Sequence, residues 1–465
     1  MSLFRTHQIT VHRGGPARRG AAGRIIFAVA VLTSVATLVV GCGHSDGATA
    51  TTAKSGGEST ASTGAVDEPG VFGELGQVCG PSEGKVQPSD VRGVSDTEIQ
   101  IGVLNDAGNE LSPGLGASYP LVAKAFADWC NDAGGINGRK IVINDRDAKL
   151  FDSAAVVIDA CQSDFMLVGG GAALDAPTIE PRLGCGLGSI PAFNPSYEGQ
   201  ISDLQSVVGR TSEKESNWGL FRLLEPEYSD AFKKIGILTV DTPDVRIAYE
   251  RFQKVLDSQG LDVTSFQAVA VSLDNVRTYV QPLMGKTETL ILALPAVEIF
   301  RAMNDVGYNP KLIADAGSVF YSLDSVENLK KVPLKAPIYS ASTTFPLDLV
   351  DENSTAAKFV ELETDAFGKA DPSHVTPWIT WLLFAKSASE CPELTVKCVI
   401  DNATKDTAYT AGGLMAPIDL SDPTRTNQCL AINKVSADGI VYDKLATQPT
   451  DGPFNCDPAN VVPIP

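Results

Sequence analysis

Short strand-like runs alternate with segments of helical period along most of this 465-residue chain, and the alternation passes through it twice. Residues 98–104 (EIQIGVL) trade polar for apolar positions as a strand does, and the turn-rich Asn105-Asp106-Ala107-Gly108 follows. The period then changes: Leu121, Val122, Ala125, Phe126 and Trp129 recur at helical spacing, and Asn131-Asp132-Ala133-Gly134-Gly135 supplies glycines for a left-handed C-cap. A strand at 140–144, a helix at 153–161, a strand at 165–169, a helix around Pro177 and a strand near Ile190 complete the first series. The second opens at 234–240 (KIGILTV) and continues with a helix whose face carries Val245, Ala248, Tyr249, Phe252, Val255 and Leu256 before Gly260. It predicts further strands at 263–269, 289–294, 311–314 and 337–342, then helices at 356–367 and 377–389 and a tail rich in Pro and Asp. Strands separated by helices need crossover connections, hence parallel sheets. One sheet of ten strands would be unusually wide, so the fold class is α/β with two Rossmann-like lobes. Such lobes turn the carboxyl ends of their strands toward a common cleft, where ligands bind.

Ahead of this body, residues 25–40 (IIFAVAVLTSVATLVV) carry no charge, follow Arg5, Arg13, Arg18, Arg19 and Arg24, and run into Gly41-Cys42. That is the basic, apolar, small-residue order of an export signal. As a helix the run spans roughly 24 Å, short of the ~30 Å hydrocarbon core, which favours a cleaved signal over a permanent span. Leu38-Val39-Val40-Gly41-Cys42 resembles the lipobox of bacterial lipoproteins, which implies that Cys42 is lipidated and becomes the new N-terminus. Residues 43–70 are mostly Gly, Ala, Ser and Thr, too poor in large apolar side chains to offset the entropy of ordering, and read as a flexible tether. The expected location is the outer face of a bacterial cell membrane.

The chain carries 37 Lys and Arg against 56 Asp and Glu, a net charge of −19, which becomes −24 without the first 41 residues and their five arginines. So acidic a body repels phosphate backbones, and no basic run is interleaved with aromatics, which argues against nucleic acid as a partner. Besides Cys42 there are eight cysteines and no CxxC pair. An even number in an oxidising compartment points to four disulfides rather than a metal site. Of the 105 formal pairings, locality favours Cys391–Cys398 and Cys429–Cys456, leaving Cys79, Cys130, Cys161 and Cys185 to pair among themselves, with Cys79–Cys130 and Cys161–Cys185 as the candidates.

Catalytic material is sparse. His7, His12 and His44 precede the folded body, which leaves His374 alone and no basis for a histidine triad or a two-histidine metal site. Gly169-Gly170-Gly171 follows a strand but lacks dinucleotide spacing and any neighbouring base, and reads as a bare turn against which a ligand packs. Asp145, Asp147 and Asp152 lack the glycine and distal glutamate of a calcium loop. Ser189 lacks the second glycine of a nucleophile elbow. Asn353-Ser354-Thr355 and Asn402-Ala403-Thr404 fit glycosylation sequons by chance. Binding, with no cofactor, is favoured over catalysis.

The strand at 98–104, its helix, then Asn131-Asp132-Ala133-Gly134-Gly135-Ile136-Asn137-Gly138-Arg139-Lys140-Ile141 and the acidic Asn144-Asp145-Arg146-Asp147 resemble the type I periplasmic binding proteins of branched-chain amino acid ABC transporters. The resemblance covers 95–440 in element order and is strong in motif from 95 to about 200, the Gly-Gly-Ile-Asn-Gly-Arg element being its most specific part. It implies two lobes joined by three crossovers, here near 218–225, 343–347 and 412–417, and a hinge that closes over a solute destined for a permease. It divides the chain into a signal (1–41), a tether with an N-terminal extension (42–94), lobe 1 (95–220 plus 345–411) and lobe 2 with the tail (221–344 plus 412–465). The implied site has Asn105 and Asp106 in the first loop, Gly171, Ala172 and Ala173 in place of the family's hydroxyl-bearing loop, and Ser196 and Tyr197 after the fourth strand. Closure would add Asp241, Asp244 and Pro295, with Asp315 as the ammonium-binding acid. The expected solute is a small amino-acid-like, polar or amphipathic carboxylate or amide; the missing hydroxyls count against leucine-type ligands and add an apolar acid as an option. The resulting expectation is a monomeric, lipid-anchored solute receptor of an ABC importer, with a ligand sensor of the same fold as the alternative.

Overall fold

The computed structural model describes residues 68–82 and 89–465. Cys42 and the signal and tether expected before residue 68 lie outside the described residues.

The first sheet has the order β2-β1-β3-β4, all parallel, from β1 (Glu98–Asn105), β2 (Lys140–Asp147), β3 (Met166–Val168) and β4 (Gly188–Ile190). β1 lies at its centre and is buried along all but its first residues, as a strand covered on both faces must be. The Gly-Gly-Ile-Asn-Gly-Arg element owes its composition to two consecutive turns. Gly134 and Gly135, at φ +110° and +78°, end the helix Ser118–Asp132. A Cβ on Gly135 would lie 2.1 Å from Arg139 O. Asn137 (φ +48°) and Gly138 (φ +83°) then form a tight hairpin turn that pairs Ile136 with Arg139 and launches β2. Asn131 pins that turn by bonding both N and O of Ile141.

The helix Val375–Ser389 is apolar on every side and runs through the middle of lobe 1. Its Trp378 and Trp381 stack among Phe72, Phe126, Phe359 and Phe384. Phe72 belongs to the extension before β1, which therefore folds back onto this lobe and is fastened there by Cys79–Cys130. The other disulfides are Cys161–Cys185, Cys391–Cys398 and Cys429–Cys456, so all four candidate pairs form.

The short β5 (Glu215–Asn217) leads into a second sheet of seven strands, β12-β11-β10-β9-β8-β6-β7. β6 (Ile235–Val240), β7 (Val263–Val269), β8 (Thr289–Leu292), β9 (Leu312–Asp315) and β10 (Ile338–Ser342) are parallel. β11 (Ala431–Ser436) and β12 (Gly439–Tyr442) add an antiparallel hairpin from the Pro- and Asp-rich tail, for which no strand was expected. A final strand, β13 (Val461–Pro463), pairs antiparallel with β5.

The crossovers differ from expectation at one point. Residues 218–225 are not a crossover: Gly219–Tyr228 is a helix whose Leu220, Phe221, Leu223 and Leu224 pack into the lobe-2 core, and the chain crosses before it. Segments near 343–347 and 412–417 lie side by side, with Phe345 N donating to Leu414 O and Ala416 N to Thr343 O, both at 2.8 Å. Among the described residues no helix is long and apolar enough to cross a membrane.

Candidate functional site

At the carboxyl ends of the lobe-1 strands, the loops are held by their own polar side chains. Asn105, fully buried, donates to Asp145 Oδ1 at 2.6 Å and accepts from Ala107 N. Asp106 accepts from Leu150 N and Ala173 N. Gly171 N donates to Leu104 O, and a Cβ there would lie 2.1 Å from Phe193 O. Ala172 is fully buried. The N–H groups of Gly171 and Ala173 therefore serve the fold. Ser196 caps the helix Tyr197–Gln200, accepting from Gly199 N while its Oγ donates to Asp175 at 2.6 Å, and it too is fully buried.

Lobe 2 repeats the pattern. Asp315 is fully buried and accepts from Gly317 N, Phe320 N and Ser340 Oγ, so its carboxylate organises the loop after β9 rather than offering a free acceptor for an ammonium. Burial pushes its pKa up against those donors. Pro295 O is taken by Asn328 Nδ2, and Asp241 is an exposed partner of Arg246 at 3.2 Å. Asp244, in the first turn of the helix Pro243–Ser258, faces lobe 1: burial first and then the charge of Glu198 raise its pKa. Asp175 is pushed up to about 6, by burial above all and with Asp244 adding to it. Burial first, then the charges of Glu213 and Asp422, raise the pKa of Tyr197, with Arg251 acting against them. Of the expected residues, then, Asn105, Asp106, Gly171, Ala173, Ser196 and Asp315 spend their polar groups on the walls of the strand ends.

Open space lies deeper, where lobe 2 meets the crossovers. Two adjoining cavities of about 130 and 210 Å³ share Arg210, Asn217, Phe252, Ala316 and Thr426. Lobe 2 supplies the helix face of Phe252 and the loop after β9; the crossovers supply Arg210 and the stretch from Thr426 to Leu430. Arg210 donates through Nε to Val207 O and through Nη1 to Asp419 O and Asp422 O, while its Nη2 is buried without a partner. Burial lowers its pKa, and Asp419 and Asp422 act in the opposite direction. Asn427 accepts from Cys429 N and leaves Nδ2 likewise buried and unpaired. Sequence reasoning missed both residues, because Arg210 stands alone in an irregular stretch and Asn427 in the tail, with no period or motif to single them out. A far larger concavity, about 1190 Å³, lies at the opposite end of lobe 1, around 133–139 and 388–394. It touches no strand carboxyl end and is not a candidate for the cleft site.

No family model and no curated protein matches the sequence. Solved structures do match in fold. The branched-chain amino acid transporter substrate-binding protein from Streptococcus pneumoniae, in complex with isoleucine, aligns with TM-score 0.61 and 15% identity over 75% of this chain and 100% of its own. A fatty acid ABC transporter substrate-binding protein from Thermomonospora curvata gives 0.59 and 17% over 79% and 97%. The solute-binding protein of an ABC transporter from Rhodopseudomonas palustris BisB5, in complex with 3,4-dihydroxy benzoic acid, gives 0.58 and 14% over 74% and 94%. The chain thus has the fold of the type I periplasmic binding proteins.

Proposed function

We propose that this chain is the extracytoplasmic solute-binding component of an ABC importer. It captures a small amphipathic carboxylate or amide between its lobes, is held at the membrane through a lipidated Cys42, and presents the closed form to a permease. The observation that carries the reading is the pair of cavities between lobe 2 and the crossovers, because a change of lobe angle at the paired segments 343–347 and 412–417 would open or shut them. The neighbours in fold support it, and the isoleucine and 3,4-dihydroxy benzoic acid of two of them are both carboxylates.

A thermal-shift screen of the full-length chain against amino acids, small amides, sugars and apolar acids tests it. A specific ligand stabilises only the folded state, by about 2.7 kcal/mol at a hundredfold excess over its dissociation constant. A hit in any of these classes is expected, and silence across all of them overturns the reading. Replacing Cys42 with Ala should release the chain from the membrane fraction; retention would remove the lipid anchor.

A further inference from the structure

We propose that Arg210 and Asn427 form a carboxylate-anchoring subsite at the hinge, and that the solute it takes is a monocarboxylic acid without an α-amino group. The inference rests on the solute-binding reading and names the chemistry of that same site.

Arg210 and Asn427 both line one cavity, and each keeps a buried donor without a partner, Arg210 Nη2 and Asn427 Nδ2. A buried donor without a partner is costly, and a guanidinium edge beside an amide N–H₂ matches the two oxygens of a carboxylate. Three bonds from Arg210 to backbone oxygens hold its guanidinium in place, so binding needs little further ordering of that side chain. The remaining lining is mixed: Val208, Leu220 and Phe252 can take a short hydrocarbon body, while Asn217, Ser318 and Thr426 are polar.

An ammonium group finds no comparable partner. Glu215, the carboxylate that lines the adjoining cavity, already has its charge met by Arg425, whose Nε donates to Oε1 at 2.7 Å, the same oxygen that accepts from Thr426 N at 3.0 Å. Asp315, beside the wall residue Ala316, is closed off by three donors. The two cavities together sit at the low end of the roughly 300–1,000 Å³ typical of ligand pockets, so the body of the acid is short.

Three probes of one carbon skeleton separate the possibilities: 4-methylpentanoate, leucine, which adds the amino group, and 4-methylpentanamide, which removes the charge. Calorimetric titration into the full-length chain should give binding of 4-methylpentanoate, with leucine and the amide each roughly tenfold or more weaker. Asn427→Asp keeps the acceptor for Cys429 N and replaces the donor by a negative charge. It should leave the unligated melting temperature nearly unchanged while abolishing 4-methylpentanoate binding. Arg210→Gln should also abolish it, and Arg301→Gln, which removes an exposed cation paired with Glu298 away from both cavities, should not. If 4-methylpentanoate binds equally well to Asn427→Asp, the subsite is wrong although solute binding stands. If leucine or the amide binds as tightly as the acid, the chemistry assigned to the subsite is wrong. If no carboxylate binds while another class in the screen does, the two donors are served by water and the inference falls alone; if nothing binds, it falls together with the receptor reading.

Discussion

Asp175 lies under the short helix that carries Tyr197, takes hydrogen bonds from Ser196 N and Oγ, and still has a pKa raised to about 6 from an ordinary 3.8. Because the folded value is the higher one, Asp175 favours folding while both states hold the proton, below about pH 4, and that contribution is lost as pH rises to about 6. Asp175→Asn should flatten the dependence of the urea midpoint on pH between 4 and 6. His374 acts in the next window. Burial alone would lower its pKa, but the hydrogen bond to Glu363 at 2.7 Å and the charges of Glu363, Asp371 and Asp324 outweigh it and raise it above 6.5. Its stabilisation is therefore present below about pH 6.5 and lost as pH climbs through the folded value, and His374→Gln should remove that part of the profile. Gly169 is held for a different reason: at φ +74° a Cβ would lie 2.1 Å from Trp381 Nε1, so Gly169→Ala should lower stability by about 2–4 kcal/mol in chemical denaturation. The same loops show what sequence leaves illegible at this scale. Asn105 and Asp315 end strands and Asp106 and Ser196 follow them, as strand order leads one to expect, yet their polar atoms face the protein. A polar residue in a loop has the same signature whichever way it turns.

Elements were read with more success where period and turn chemistry agreed. The strands of both parallel series and the helices Ser118–Asp132 and Pro243–Ser258 follow from apolar spacing closed by glycine. The helix Gly219–Tyr228 was missed because Pro226 and two glutamates interrupt its pattern, and only packing against Phe232 and Ile235 makes its apolar face count. The hairpin β11–β12 was missed because it is too short to stand out in a tail of turn residues; it becomes a pair of strands by adding to the edge that β10 offers. The segment leading into that hairpin is fastened to the C-terminal region by Cys429–Cys456, 27 residues apart. Replacing both with Ser should cost about 3.5 kcal/mol, read as a lower melting temperature, on the loop-closure account.

At the scale of the whole molecule, the chain's last strand returns to its first crossover. β13 pairs with β5, Arg222 bonds Asn460 Oδ1 at 2.6 Å, and Trp218 Nε1 donates to Ala459 O. Ending the chain after Asp457 should therefore loosen the hinge and weaken solute affinity together, whereas a cut confined to the lobe-1 extension should spare the hinge; titration of both forms would decide. Trp218 also lines the cavity beside Arg210. The other three tryptophans, Trp129, Trp378 and Trp381, belong to the aromatic cluster of lobe 1. The chain thus carries one indole in the lining of that cavity and three packed together in the core of lobe 1. Loading the cleft should show itself as a shift in intrinsic ultraviolet emission that vanishes in Trp218→Phe, so occupancy can be read optically without any attached dye.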